Sequence, residues 1–160
     1  TLFPEGRLKR YIEVRSADSQ PPEMMLALPA LMKGVLYEPD AMDAAWDLVR
    51  RWSWDERVAI YHDAHRDGLR AKIRGIVLAE LARELLAIAS SGLKRQHRTN
   101  TRGEDEGLYL ERLEDIVRRG KSLGRILAER WEAEWHRDVA KLIEHTTYRP
   151  PNEEQAPAND

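Results

Sequence analysis

A short segment near the start of the chain places charged and polar side chains at the spacing of a β-strand. Residues 7–15 alternate in character, so one face of the predicted strand carries Arg7, Lys9, Tyr11, Glu13 and Arg15. Glu13 and Arg15 would lie about 7 Å apart along such a strand. A carboxylate is a ligand that Mg²⁺ accepts, and a guanidinium binds a carboxylate or a phosphoryl group through paired hydrogen bonds. This face therefore indicates chemistry on phosphate or amino-acid substrates. The alternative is the solvated face of an edge strand, whose ion pairs contribute little.

The other face of the same segment is apolar and carries Leu8, Ile12 and Val14. No other segment shows a comparable alternation, so we predict one strand, residues 7–15. A lone strand cannot satisfy its own backbone donors and acceptors, and it needs a sheet from elsewhere. The first residue is Thr1 rather than Met. Both features lead us to expect a piece of a longer protein.

The rest of the chain has the periodicity of helices. Apolar residues recur at spacings of three and four between residues 23 and 145, which predicts about six helices and a mainly α fold after one strand. Asp40 is the predicted cap of the second helix, and Ser53 with Glu56 forms a capping-box pattern. The longest helix is predicted for residues 73–91, with Gly92 at its end. Residues 149–160 are polar and rich in proline, and we predict a disordered tail there.

Composition narrows the function classes. The 160 residues contain no cysteine, which excludes disulfides, thiolate metal sites and a cysteine nucleophile. The net charge is −2, and no run of eighteen apolar residues exists, so we expect neither a nucleic-acid nor a membrane partner, and a cytoplasmic location. One stretch, residues 66–102, is locally basic, with nine Lys or Arg against three acids. It could contact phosphates, but it lacks interleaved aromatic residues, so a solvated surface is the simpler interpretation.

Several runs of the sequence together resemble a known family. The run RLKRYIEVRSAD at 7–18 resembles a late strand of the glutamate–cysteine ligases of the plant and proteobacterial type. The likeness continues through LPALMKGVLY at 28–37, GEDEGLYL at 103–110 and ERWEAEW at 129–135. It covers roughly residues 2–148 and corresponds to the C-terminal part of such an enzyme. The resemblance implies that residues 1–148 are the C-terminal segment of an α+β, glutamine-synthetase-like ligase fold.

The resemblance also implies an activity and roles for the polar strand face. These ligases use ATP and Mg²⁺ to phosphorylate the γ-carboxyl of glutamate, and the amine of cysteine then displaces the phosphate, which is the first step towards glutathione. By this resemblance Glu13 would be a Mg²⁺ ligand. Arg15 would be a catalytic residue that holds the substrate or the transferred phosphoryl group, and Lys9 and Tyr11 are further candidates for substrate binding.

The same resemblance implies that the segment needs other protein segments for activity. We expect the remainder of the ligase chain, or a companion subunit, to supply the ATP site and more carboxylates, and we expect the 160 residues alone to be inactive; a homodimer stays open. After Arg15 the family continues with a glycine-containing turn, whereas this chain has Ser16 and Ser19, which leaves the acceptor amino acid open. The alternative function is a non-catalytic helical interaction module derived from the ligase.

Overall fold

A computed structural model describes residues 5–148 of the chain. This part is mainly helical, as predicted, with seven α-helices and two antiparallel strand pairs. None of the helices within it is both long and apolar enough to cross a membrane. The predicted tail, residues 149–160, lies outside the described residues.

The elements follow one another in a simple order. The strands are β1 (Gly6–Leu8), β2 (Ile12–Val14), β3 (Lys72–Ile73) and β4 (Ile76–Val77). The helices are α1 (Ala27–Leu36), α2 (Pro39–Val49), α3 (Trp54–Asp67), α4 (Leu78–Arg95), α5 (Glu111–Arg119), α6 (Leu123–Ala133) and α7 (Val139–Thr146). The described residues divide into two compact units. The first unit contains residues 5–50 and 85–113, and the second contains 51–84 and 114–148.

Helix α4 approaches its neighbours in the first unit closely through small residues. A Cβ added to Gly92 would lie 3.1 Å from the Cβ of Ala41 and would collide with the backbone carbonyl of Gly34. Ala41 and Ala89 are fully buried. The prediction that Gly92 ends the helix is therefore wrong, because this glycine lies inside α4 and permits close packing.

The start of α2 also differs from the prediction. Its N-cap is Glu38, whose Oε2 accepts a hydrogen bond of 2.8 Å from the backbone N–H of Ala41. Pro39 occupies the first helical position, where its missing N–H costs nothing, and this moves the helix start one residue before Asp40. Asp40 lies in the first turn, so its prediction as the cap is wrong.

In the second unit, α3 begins at the predicted capping box. The N–H of Glu56 donates to Ser53 Oγ at 3.2 Å, and the N–H of Ser53 donates to Glu56 Oε2 at 2.8 Å. This part of the sequence prediction is confirmed. It succeeded because a capping box is a local pattern that depends on residues only three positions apart.

The region predicted as the start of the longest helix is a hairpin instead. Strands β3 and β4 pair through Ile73 and Ile76, and the turn residues Arg74 and Gly75 have φ of 52° and 82°. Two successive positive φ angles are typical of a tight hairpin turn, and they stop a helix from forming before Leu78. The chain therefore has a second strand pair, and the prediction of a single strand is wrong.

The hairpin of β3 and β4 belongs to the core of the second unit. Ile73 is 5% exposed and lies in a buried cluster with Ile60 and Ala71. Trp52, Leu78 and Leu81 pack against this cluster. The side chain of Arg74 fastens the turn to the start of α3, through hydrogen bonds of 2.6 and 2.8 Å to Glu56 and of 2.6 Å to the carbonyl of Arg51.

Candidate functional site

The segment that carries the candidate site residues folds back on itself. Instead of one strand over residues 7–15, β1 and β2 form an antiparallel hairpin in which Arg7 is opposite Glu13 and Leu8 is opposite Ile12. The turn is closed by the N–H of Lys9, which donates to the carbonyl of Tyr11 at 2.8 Å. The prediction of a continuous strand is therefore wrong. The physical reason is that a strand needs a partner for its backbone groups, and here the second half of the segment provides one.

The hairpin preserves the predicted separation of polar and apolar faces. Residues opposite each other in an antiparallel pair point to the same side, so Leu8 and Ile12 share one face and Arg7 and Glu13 share the other. The side chains of the apolar face are open to solvent, since Leu8 is 83% and Ile12 is 59% exposed. The described residues thus leave this apolar face uncovered.

The carboxylate of Glu13 is the electrostatic centre of the hairpin. Arg7 Nε donates to Glu13 Oε2 at 2.6 Å, and this hydrogen bond is the main reason why the pKa of Glu13 is lowered. Partial desolvation opposes the shift, while the charges of Lys9 and Arg15 add to it. Glu13 is therefore held as a carboxylate at neutral pH, with three cationic side chains acting on it.

The structure distributes the other predicted site residues along this hairpin. Lys9 and Tyr11 lie in its turn and are exposed, and Tyr11 is exposed by 60%. Arg15 follows β2 directly, and its backbone N–H donates to the carbonyl of Glu5 at 2.9 Å. Lys9 and Arg15 are thus brought to the neighbourhood of Glu13. The catalytic and substrate-binding roles of Arg15, Lys9 and Tyr11 stay predictions.

Sequence reasoning missed the partner of Glu13. The strand pattern suggested Arg15, two residues away, whereas the hydrogen bond is made by Arg7, six residues away. Only the register of the hairpin brings Arg7 opposite Glu13. The available signal was that both residues were already assigned to the polar face.

The described residues only partly fit a Mg²⁺ site. Glu13 offers one ionised carboxylate, and one of its oxygens already accepts from Arg7. Mg²⁺ often uses one or two carboxylates together with water and phosphate oxygens, so Glu13 suits the role of a single ligand. Between residues 5 and 148 there is no group of three or more His, Asp or Glu side chains placed to hold a metal ion. This part of the chain does not form a complete metal site.

Comparison with known proteins identifies the enzymes to which this chain is similar and the family to which it belongs. Among curated proteins it is similar to plant enzymes named as chloroplastic glutamate–cysteine ligases. It is 35% identical to that of Arabidopsis thaliana over 148 residues, 34% to that of Brassica juncea and 32% to that of Nicotiana tabacum. Residues 1–145 match the model of glutamate-cysteine ligase family 2. The chain belongs to this family, and the resemblance seen in the sequence is confirmed.

The matched region is most of this chain but only a small part of each relative. It includes 92% of this chain but only 27% of the Arabidopsis thaliana and Nicotiana tabacum proteins and 28% of the Brassica juncea protein. The chain thus spans about a quarter of the length of these relatives.

Proposed function

We propose that this chain is part of a ligase that joins the γ-carboxyl of glutamate to the amine of cysteine, with ATP as co-substrate and Mg²⁺ as cofactor. The observation that carries the proposal is the family match, which includes the hairpin where cationic side chains surround the carboxylate of Glu13. Arg7, Lys9 and Arg15 all act on the carboxylate of Glu13, an arrangement suited to anionic substrates.

The proposed reaction has two steps. In the first, a γ-carboxylate oxygen of glutamate attacks the terminal phosphorus of ATP, the bond to the bridging oxygen breaks, and ADP leaves. In the second, the amine nitrogen of cysteine attacks the acyl carbon, the carbon–oxygen bond breaks, phosphate leaves and the amine loses a proton. The product is γ-glutamylcysteine, a precursor of glutathione.

We assign the residues of the hairpin to the first of these steps. Negative charge on the phosphoryl oxygens must be stabilised as the phosphoryl group is transferred, and a guanidinium does this well. Arg15 is proposed for this catalytic role, with Lys9 and Tyr11 as binding residues for the substrate. Glu13 would be one ligand of Mg²⁺, an ion that neutralises phosphate charge when bound. Arg7 is proposed as a positioning residue, because it holds the Glu13 carboxylate in place and lowers its pKa.

This function requires more than the described residues provide. An ATP site and further carboxylate ligands are needed, and we propose that the remainder of the ligase chain or a companion subunit contributes them. A homodimer and a cytoplasmic location remain expectations from the sequence.

The experiment uses the complete gene product that contains this chain. Purified protein is incubated with ATP, Mg²⁺ and glutamate, and release of ADP is followed with and without cysteine. We expect γ-glutamylcysteine to appear in equal amount to ADP when cysteine is present. Hydroxylamine in place of cysteine should trap the acyl phosphate as γ-glutamyl hydroxamate, because it attacks the same acyl carbon.

Two results would contradict the proposal. Product formed without a hydroxylamine-trappable intermediate would contradict the acyl-phosphate mechanism. A folded gene product that neither consumes ATP nor forms γ-glutamylcysteine would contradict the ligase function and favour the alternative, a non-catalytic interaction module. The exposed apolar face with Leu8 and Ile12 would then be the first surface to test for a protein partner.

A further inference from the structure

The second unit contains an open cavity that is lined by residues of this unit alone. Its volume is about 460 Å³, and it is formed by the end of α3, the turn Gly68–Arg70, the loop before α6 and the first turns of α6. Binding sites for small molecules have volumes of roughly 300–1,000 Å³. The cavity is therefore large enough for a small organic ligand.

The wall of this cavity is predominantly cationic. Five basic side chains line it: Arg66, Arg70, Arg119, Lys121 and Arg125. Only two acidic residues, Asp67 and Glu129, share the wall. The lining thus carries three more positive than negative charges. The basic stretch noted in the sequence contributes only Arg66 and Arg70, and the fold adds the other three from α5, α6 and the loop between them.

The ion pairs around the cavity leave part of this charge available. Arg66 is paired with Asp63 at 2.8 Å and with Asp67 at 2.9 Å, and Arg119 is paired with Asp115 at 2.8 Å. Glu129 is shared between Lys121 at 2.7 Å and Arg125 at 3.1 Å. One carboxylate that serves two cations neutralises only one of them. Arg70 is exposed and forms no ion pair within residues 5–148. The charge that is left over faces an open space that an anion can enter.

The backbone at the N-terminus of α6 also favours an anion in this cavity. Ser122 is the N-cap of this helix, and Gly124 in its first turn has no side chain and no other atom within 4 Å of the position of a Cβ. The first N–H groups of a helix lack partners inside the helix and carry partial positive charge. Ser122 Oγ already accepts from the N–H of Arg125 at 3.2 Å, and the partial positive charge of the N–H groups before it adds to the attraction of the cavity for anions.

We propose that this cavity binds a small molecule through a multiply charged anionic group, of which inorganic diphosphate is the simplest probe. Arg70 comes from the turn Gly68–Arg70 and Lys121 from the loop before α6, so an anion with charges on two adjacent centres would engage a cation from each segment. A monoanion would neutralise only one of these two cations. Leu69 and Ala64 supply apolar surface for the uncharged remainder of the ligand.

The test measures diphosphate binding to the complete gene product by calorimetry at low ionic strength, without glutamate or cysteine. We expect Arg70→Ala and Lys121→Ala each to weaken binding roughly tenfold, since each removes one charge-assisted hydrogen bond. Arg70→Lys should restore part of the affinity. The matched control is Arg83→Ala, which removes an exposed arginine of the second unit that does not line the cavity. Circular dichroism and thermal melting establish that each variant is folded.

Several outcomes decide the proposal. Diphosphate affinity lowered in the Arg70 and Lys121 variants, and unchanged in the Arg83 variant, supports it. If diphosphate does not bind, or if it binds all variants equally, the proposal is overturned. A catalytic ATP site would also bind diphosphate, but that binding would survive Arg70→Ala, so failure of this proposal and failure of the ligase function are distinguishable. Citrate in place of diphosphate separates a polycarboxylate ligand from a phosphorylated one.

Discussion

The two hairpins of this chain are similar in local structure, but one buries its apolar side chains and the other exposes them. The hairpin of β3 and β4 buries Ile73 at 5% exposure in the core of its unit, whereas the hairpin of β1 and β2 leaves Leu8 at 83% exposure. Each contains an Arg–Glu hydrogen bond of 2.6 Å. In the hairpin of β1 and β2, the first in the chain, Arg7 donates to Glu13 and the bond joins the two strands. In the hairpin of β3 and β4, the second in the chain, Arg74 in the turn donates to Glu56 of α3.

This difference separates a stabilising element from the element that carries the proposed site. A hairpin whose apolar side chains are buried within its own unit contributes to folding free energy. A hairpin whose apolar side chains Leu8 and Ile12 are exposed contributes little to it, and its charged side chains lie where a substrate or a partner can reach them. Substitutions in the two hairpins should therefore have different kinds of effect.

The largest effect should follow from removal of the proposed catalytic cation in the first hairpin. Arg15→Ala in the complete gene product should lower the rate of γ-glutamylcysteine formation by roughly 100-fold or more, because charge on the transferred phosphoryl group loses its counter-charge. Arg10→Ala is the matched control, since Arg10 is an exposed cation in the turn of the same hairpin but belongs to neither the proposed catalytic nor the binding set. Equal rates for the two variants would remove Arg15 from the mechanism.

The second prediction concerns stability and compares the apolar residues of the hairpins. Ile73→Ala should lower the free energy of unfolding of the 160-residue chain by about 2–4 kcal/mol, because it leaves a cavity in the core with Ile60 and Ala71. Leu8→Ala should change it by about 0.5 kcal/mol or less, because that side chain is already in solvent. Urea unfolding followed by circular dichroism measures both. A large loss of unfolding free energy for Leu8→Ala would show that the hairpin of β1 and β2 is buried in solution. The two hairpins would then not differ in burial.

A smaller effect is expected from the backbone of the turns. Gly75 has φ of 82°, so Gly75→Ala should cost about 1 kcal/mol even though no atom lies within 4 Å of the added Cβ. Gly6→Ala in β1 adds a methyl group in equally open space without a positive φ, and it should be close to neutral. The difference between the two unfolding midpoints isolates the cost of the left-handed conformation.

The smallest effect is a dependence of stability on pH that comes from the second hairpin. The hydrogen bond from Arg74, helped by the backbone N–H of Ser53, lowers the pKa of Glu56 from 4.5 to about 2. Because the pKa is lower in the folded state, the stabilisation is complete above pH 4.5 and is lost as the pH falls towards 2. Glu56→Gln should therefore flatten the fall of the urea midpoint over this window. Glu84→Gln, an exposed residue of α4, should leave the fall unchanged.

Features that depend on neighbouring residues were predictable from the sequence. The capping box of Ser53 and Glu56 involves residues three apart, and it is present in the structure. The predicted class, mainly helical, follows from many such local signals added together.

Features that depend on packing were not predictable in the same way. Apolar residues from 73 to 77 fit a helical stripe as well as a hairpin, and the turn at Arg74 and Gly75 decided between them. Gly92 had the local signature of a helix end, but the close approach of Gly34 explains its place inside α4. Such contacts join residues that are far apart in the chain, so no local pattern contains them.

The sequence by itself determined which residues of the candidate site are polar and which family the chain belongs to, because alternation and motif order are properties of the linear chain. Tertiary structure alone decided that Glu13 pairs with Arg7, and that basic residues from separate segments line one cavity. Hairpin register and the meeting of distant segments are set by backbone pairing and burial across the chain. These interactions have no signature at short range.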